Sequence, residues 1–331
     1  MKKLIIVTVI IMLASCAAVK RTPAPEESLS GQADRGLAAL PPEGLPGRPL
    51  SEVKAAVAED ESSLTAINHH VPEATEDQDH LILATLWYQK SAEMRALYYQ
   101  CFNNAESALA ENLRLAYRTA EAAVELTTTA NSEGSSGHSS KKPPAVVLDI
   151  DETLLDNSPF QGWQVIEKKS FNNDDWFRWV ELARARPLPG AVEFTRYADS
   201  LGVEVFYVSN RTVQEMGPTI ENMAAWGFVN ADSTHMLLKE TSSSKVERRT
   251  LIENDYEILL LIGDNLADLS GIYEKRGSDH GFAAADADRR LFGTKYIVLP
   301  NPMYGNWLND LLRSAPGSTE REKLIRLLDS F

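Results

Sequence analysis

The chain has 331 residues, 44% hydrophobic and 24% charged, with 33 Lys and Arg against 47 Asp and Glu for a formal net charge of −14. That length and apolar content suit about two domains with real cores and exclude global disorder, while the acidic balance leaves no basic footprint for a nucleic-acid backbone. Two cysteines, Cys16 and Cys101, exclude a disulfide scaffold, and no run of about 20 apolar residues after the N-terminus makes an internal membrane span.

Residues 1–15 read as a secretory signal peptide: Lys2 and Lys3 give a basic start, 4–14 are apolar, and small residues follow. Leu13-Ala14-Ser15-Cys16 resembles a bacterial lipobox. Such signals are cut before the cysteine, which is then acylated, and each buried CH₂ of the anchor contributes ~0.8 kcal/mol. In a Gram-negative cell, Ala17 rather than Asp after the cysteine implies the outer membrane, facing the periplasm. Residues 16–75 form the expected lipidated N-terminus and flexible tether, with Pro23, Pro25, Pro41, Pro42, Pro46 and Pro49 among them. That composition buries too little apolar area to offset ordering entropy. His69-His70 reads as a solvated linker pair.

Residues 76–130 carry apolar side chains at spacings of three, four and seven (Leu83, Trp87, Met94, Tyr98, Phe102, Leu109 and Leu113 among them), which predicts one long helix or two consecutive ones. This region is expected to contribute to a helical cap. Cys101 falls on its apolar stripe and reads as a small buried hydrophobe. Residues 130–144 form a loop.

From 131 to 331 the pattern changes. Short apolar runs at 145–148, 203–208, 257–262 and 295–299 read as buried strands. Helical segments separate them at 190–201, 213–226, 244–254 and 267–276, three of them closed by Gly202, Gly227 and Gly277. The alternation predicts an α/β fold, a doubly wound parallel sheet with helices on both faces and right-handed crossovers. A Trp-rich helix at 171–182 lies within an insertion at 157–188 after the first strand, where it would overhang the sheet edge.

Polar clusters follow the strands: Asp149-Ile150-Asp151-Glu152-Thr153, Ser209-Asn210-Arg211, and Gly263-Asp264-Asn265 with Asp268; Ser244-Lys245 opens a helix. Ligands of open α/β sheets bind at the carboxyl ends of the strands, so these clusters should converge. Asp149, Asp151 and Asp264 together repel strongly unless a divalent cation lies between them. All-oxygen ligation without His or Cys points to Mg²⁺ rather than Zn²⁺; His138, His235 and His280 show no ligand spacing. A spare carboxylate can attack phosphorus, with Ser209, backbone amides and Lys245 cradling the remaining phosphate oxygens.

The series Asp149-x-Asp151-x-Thr153, Ser209, Lys245, Gly263-Asp264-Asn265 and Asp268 resembles the four motifs of the haloacid dehalogenase (HAD) superfamily. More narrowly, the chain resembles the bacterial lipoprotein e family of class C acid phosphatases over about residues 80–330. Leu86-Trp87-Tyr88-Gln89, Asp156-Asn157-Ser158-Pro159, Gly162-Trp163-Gln164-Val165, Pro189-Gly190-Ala191-Val192-Glu193-Phe194, and Pro300-Asn301-Pro302-Met303-Tyr304-Gly305-Asn306-Trp307 carry that resemblance. Ser209 stands where relatives have Thr, and the hydroxyl is kept.

The resemblance implies a Mg²⁺-dependent phosphomonoesterase acting on 5′-nucleotides through an aspartyl phosphate. Asp149 would be nucleophile and metal ligand, and Asp151 the general acid and base, its backbone carbonyl also touching the metal. Asp264 would be a metal ligand; Thr153, Ser209, Asn210 and Lys245 would bind substrate. Asp268 reads as either a ligand or a support for one, and Arg211 as either a phosphate contact or a salt-bridge partner. Trp176 and Tyr304 occupy the places where the family sandwiches its base, while Trp179 is expected to pack the cap against the long N-terminal helix. The expected partners are a small phosphomonoester, the membrane through its lipid anchor, no nucleic acid, and a second copy of the chain as a homodimer. A non-catalytic ligand- or haem-binding lipoprotein on the same scaffold, and a phosphotransferase, are the rival readings.

Overall fold

The structure, a computed structural model, describes residues 79–130 and 142–331; the signal peptide, Cys16, the tether and His138 lie outside the described residues. Two helices come first, α1 (Ile82–Lys90) and α2 (Ala92–Ala130). Between them Ser91 is extended, and its hydroxyl accepts the Met94 amide at 3.1 Å, which starts the second helix. No Gly or Pro interrupts the 39 residues of α2. Its stripe of Tyr98, Phe102, Ala105 and Leu109 is buried, each of the larger side chains contributing about 1.5–3 kcal/mol.

Strand β1 (Pro144–Leu148) leads into a tight turn, the two-residue β2 (Leu155–Asp156), helices α3 (Ser158–Glu167) and α4 (Asn173–Glu181), and β3 (Arg186–Pro187), which pairs antiparallel with β2. The segment between β2 and β3 is the expected insertion. Asn172 caps α4, accepting the Asp175 amide at 2.8 Å. The core continues through α5 (Ala191–Ser200), β4 (Glu204–Thr212), α6 (Met216–Trp226), β5 (Met236–Lys239), α7 (Val246–Asp255), β6 (Glu257–Gly263), the single turn α8 (Leu266–Leu269), α9 (Phe282–Ala287) and β7 (Tyr296–Val298). Helices α10 (Asn306–Ser314) and α11 (Glu320–Arg326) close the chain.

The five long-range strands pair in the order β5–β4–β1–β6–β7, all parallel. Alternation divides β1 between two cores. Val146 and Leu148 join Tyr98, Phe102 and Leu109 of α2 on one face; Ala145 and Val147 join Phe206, Val208 and Ile252 on the other. The α/β doubly wound prediction therefore holds, with three differences. The long helix α2 was expected in the cap; instead its buried stripe covers one face of the sheet, packing on α5, β6 and β7. The predicted helix at 267–276 stops at Leu269, because Ser270 is extended and a 3-10 turn (Gly271–Glu274) follows. The fifth strand, β5, was not expected. Gly190, at φ 85°, packs under α2: a Cβ there would lie 3.1 Å from Phe102 Cβ. Among the described residues no helix is long and apolar enough to cross a membrane.

Candidate active site

Because every strand of the sheet runs the same way, the ends of β1, β4 and β6 and the start of α7 open into one cavity of about 700 Å³. Asp149, Asp151, Ser209, Asn210, Lys245, Asp264, Asp268, Trp176 and Tyr304 all line it. Thr153 does not. It is fully buried, and its Oγ1 accepts the Asp264 amide at 3.1 Å, so the expectation that it touches substrate is corrected: it ties the β1 turn to the β6 loop.

The turn after β1 is tight. The Leu154 and Leu155 amides both donate to the Ile150 carbonyl, at 2.8 and 2.9 Å, and Glu152 adopts φ 52°. A left-handed non-glycine residue costs about 1 kcal/mol or more. Three contacts hold it: the Asn157 amide on Oε1 at 2.8 Å, the Tyr304 hydroxyl on Oε2, and the Tyr98 hydroxyl on its carbonyl at 2.5 Å. Burial, reinforced by Asp151 and Asp264, pushes the Glu152 carboxyl well above the usual range.

Asp149, Asp264 and Asp268 offer oxygens that all lie within 4.8 Å of one another. Lys245 bridges two of them: its ammonium donates to Asp149 Oδ1 and to Asp268 Oδ1, the latter at 2.7 Å. Asp268 Oδ2 accepts the Asn265 amide at 2.9 Å within the capping box of α8, and Asn301, after β7, donates to Asp264 Oδ2 at 2.8 Å. Gly263 is required here, since a Cβ would lie 2.5 Å from Asp268 Cβ.

Burial raises the Asp149 carboxyl to about 7; Lys245 works against the rise, while Asp268 and Asp151 add to it. Burial also raises Asp264 well above the usual range, helped by Asp268 and Asp149. For Lys245 burial opposes the charge, yet Asp149 and Asp268 outweigh it and hold the ammonium above its ordinary value. Two buried carboxylates, Asp149 and Asp268, and the half-buried Asp264 thus face one ammonium, and among the described residues the side-chain donors engage only one oxygen each of Asp149 and Asp264. That charge excess and the all-oxygen donor set fit a hard divalent cation.

The Asp151 carboxylate, expected beside the other two, is not in this group. Its Oδ1 accepts Arg211 Nε at 2.9 Å, Arg211 Nη2 at 2.8 Å and Asn157 Nδ2 at 2.8 Å. Asp268, left open between two roles, joins the carboxylate group and also holds Lys245. Arg211, likewise left open, is a buried salt-bridge partner. Trp176 meets Phe160 edge-on, centroids 5.2 Å apart, and Trp179 donates its indole N–H to Asn157 Oδ1 at 2.8 Å while resting on the main core. Sequence reasoning missed Glu152, Asn157 and Asn301 as site supports, and Arg248, which donates to Asn210 Oδ1 at 2.7 Å and to the Ser209 carbonyl. Arg248 lies three residues after Lys245, so the same turn of helix carries both; that spacing was the available signal.

A parallel sheet with Asp-x-Asp after its central strand, a hydroxyl near the carboxyl end of the neighbouring strand, and a lysine at a helix start facing the third cluster defines the haloacid dehalogenase class. Residues 86–307 match the family model of HAD superfamily, subfamily IIIB (acid phosphatase). The class C acid phosphatase of Bacillus anthracis is 35% identical, with a TM-score of 0.64 over 77% of this chain and 98% of that one; the same enzyme with tungstate bound gives 35% and 0.62. Acid phosphatase 1 of Solanum lycopersicum is 28% identical over 167 residues, 48% of this chain and 57% of the tomato protein. The chain spans a little over half the length of such curated plant relatives. The chain belongs to the acid phosphatase family of HAD subfamily IIIB.

Proposed function

We propose that this protein is a Mg²⁺-dependent acid phosphatase that hydrolyses phosphomonoesters, 5′-nucleotides above all, through an aspartyl phosphate. The observation that carries the reading is the buried Lys245 ammonium bridging Asp149 and Asp268 with Asp264 alongside. A scaffold that had lost its chemistry would have no reason to retain so many buried charges, which are costly without a function.

Asp149 and Asp264, supported by Asp268, would hold the cation. Bound there, it supplies the positive charge that lets these carboxylates ionise together and offsets the charge of the phosphoryl group. Asp149 attacks phosphorus. Lys245, Ser209 and Asn210 hold the phosphoryl oxygens, with Arg248 fixing Asn210 and the Ser209 backbone. Asp151 protonates the leaving oxygen and then takes a proton from the water that splits the aspartyl phosphate. Trp176 and Tyr304 line the same cavity; an aromatic pair there would stack on a nucleobase with little choice among bases, at ~1–3 kcal/mol per stack. The B. anthracis relative binds tungstate, which supports oxyanion binding by this chain. The lipobox supports acylation at Cys16 and an envelope location.

Phosphate release from a panel of nucleoside monophosphates, with EDTA and with Mg²⁺, tests the reading. Turnover should require the cation, and Asp149→Asn should lose many decades of rate while folding normally. Retention of more than about a tenth of the parent rate would remove Asp149 as nucleophile.

A further inference from the structure

We propose that Arg211 is a positioning residue for the leaving-group proton: with Asn157 it occupies one oxygen of Asp151, so that the other, Oδ2, is the oxygen from which a proton is delivered. The inference rests on the reading of Asp151 as general acid.

Three N–H groups converge on Asp151 Oδ1: Arg211 Nε at 2.9 Å, Arg211 Nη2 at 2.8 Å and Asn157 Nδ2 at 2.8 Å. An oxygen accepting three donors has no lone pair left to exchange a proton, so Oδ2 is the oxygen of this carboxyl open to that exchange. Among the described residues Oδ2 accepts one hydrogen bond, from Ser209 Oγ at 3.4 Å. The frame around Oδ1 is itself fixed. Arg211 is 3% exposed, and its Nη1 donates to Thr219 Oγ1 at 3.0 Å. Asn157 is fully buried, and its Oδ1 accepts the Trp179 indole at 2.8 Å. The guanidinium carbon lies 5.6 Å from the centroid of the Trp176 ring. The residues that orient the acid are therefore the ones that anchor α4, the insertion helix whose Trp176 forms a wall of the cavity. Two N–H groups fixed in one guanidinium plane hold Oδ1 from a set direction, which an ammonium on a flexible stem does not.

In the first step an Asp149 oxygen bonds to phosphorus as the ester P–O bond breaks. The electron pair goes to the leaving oxygen, which takes the Oδ2 proton and departs as the alcohol, and Asp151 becomes a carboxylate beside Arg211. In the second, water bonds to phosphorus and yields its proton to Asp151. The bond to Asp149 then breaks with its electron pair returning to that carboxylate, and orthophosphate leaves.

A proton donor matters most where the leaving oxygen is strongly basic, and general acids contribute about 10²–10⁴-fold there. Two esters of similar size separate this role from packing: p-nitrophenyl phosphate, whose phenolate departs readily, and benzyl phosphate, whose alkoxide needs a proton. The Mg²⁺-loaded protein and its Asp151→Asn, Arg211→Lys, Arg211→Met and Asn157→Ala variants are compared by kcat/KM on both, which reports the step that breaks the ester bond and not the later hydrolysis common to the two esters. Asp151→Asn is expected to depress benzyl phosphate at least about tenfold more than p-nitrophenyl phosphate, and the Arg211 and Asn157 variants to show the same bias, least for Arg211→Lys. If Arg211→Met does not fold, Arg211→Lys and Asn157→Ala carry the comparison. Equal losses on both esters in those variants, with the bias intact in Asp151→Asn, would overturn the role of Arg211 and leave the phosphatase reading standing. Absence of bias in Asp151→Asn would overturn the acid assignment and the role of Arg211 with it.

Discussion

Removal of the cation should make stability fall as pH rises, over a window set by Asp149. The folded carboxyl titrates at about 7 against an ordinary value of 3.8. A raised acid favours the folded protein while protonated. Its contribution is therefore whole below about pH 4 and is lost as pH climbs through 7. The difference of about three pH units corresponds to roughly 4 kcal/mol, a slope of up to ~1.4 kcal/mol per pH unit. Asp264 and Glu152 are raised by the same burial and act in the same direction. A cation among the carboxylates removes the cause, so the slope should flatten when Mg²⁺ is present. The assay is urea unfolding at pH 4, 5, 6 and 7, in EDTA and in Mg²⁺, on the parent and on Asp149→Asn. The parent in EDTA should lose several kcal/mol across the series relative to the parent in Mg²⁺, and Asp149→Asn in EDTA should lose less. Parallel curves in EDTA and Mg²⁺, or an Asp149→Asn curve parallel to the parent's in EDTA, would refute the reasoning.

Gly263→Ala should force Asp268 away from Lys245, since the new Cβ would meet the Asp268 Cβ at 2.5 Å; overpacking costs about 1–3 kcal/mol, and a displacement near 1 Å costs about 10²-fold in rate. Activity within threefold of the parent would show that the α8 turn yields freely. Trp176→Ala and Tyr304→Ala should raise KM for AMP about tenfold or more and spare glycerol phosphate; an equal loss on both esters would mean that the rings only pack. Cys16→Ser should release the protein from the membrane fraction or leave an uncleaved precursor, and unchanged association with normal processing would remove the lipid anchor.

The sheet and the convergence of its polar clusters were legible in the sequence because parallel strands buried on both faces are written as continuous apolar runs, as in Ala145-Val146-Val147-Leu148 and residues 257–262. A polar residue directly after such a run stands at the carboxyl edge whatever the rest of the chain does, so Asp149, Ser209 and Asp264 could be placed in one cavity without coordinates. Strand β5 escaped because it has only four residues and just two buried side chains, too short a pattern to separate from a loop. Helix α2 is written the same way whether it caps a site or covers a sheet. Only the fit of Phe102 and Leu109 against Val146 and Leu148 decided that it belongs to the core. The partners of the carboxylates were equally out of reach of the sequence. Arg211 lies 60 positions from Asp151, Asn301 37 from Asp264 and Tyr304 152 from Glu152. Spacing along a chain says which side chains share one element, while a buried charge takes its partner from whichever element the fold packs beside it. The sequence therefore brought Asp149 and Asp264 to one place, and the tertiary structure decided that Asp268 joins them while Asp151 turns to Arg211.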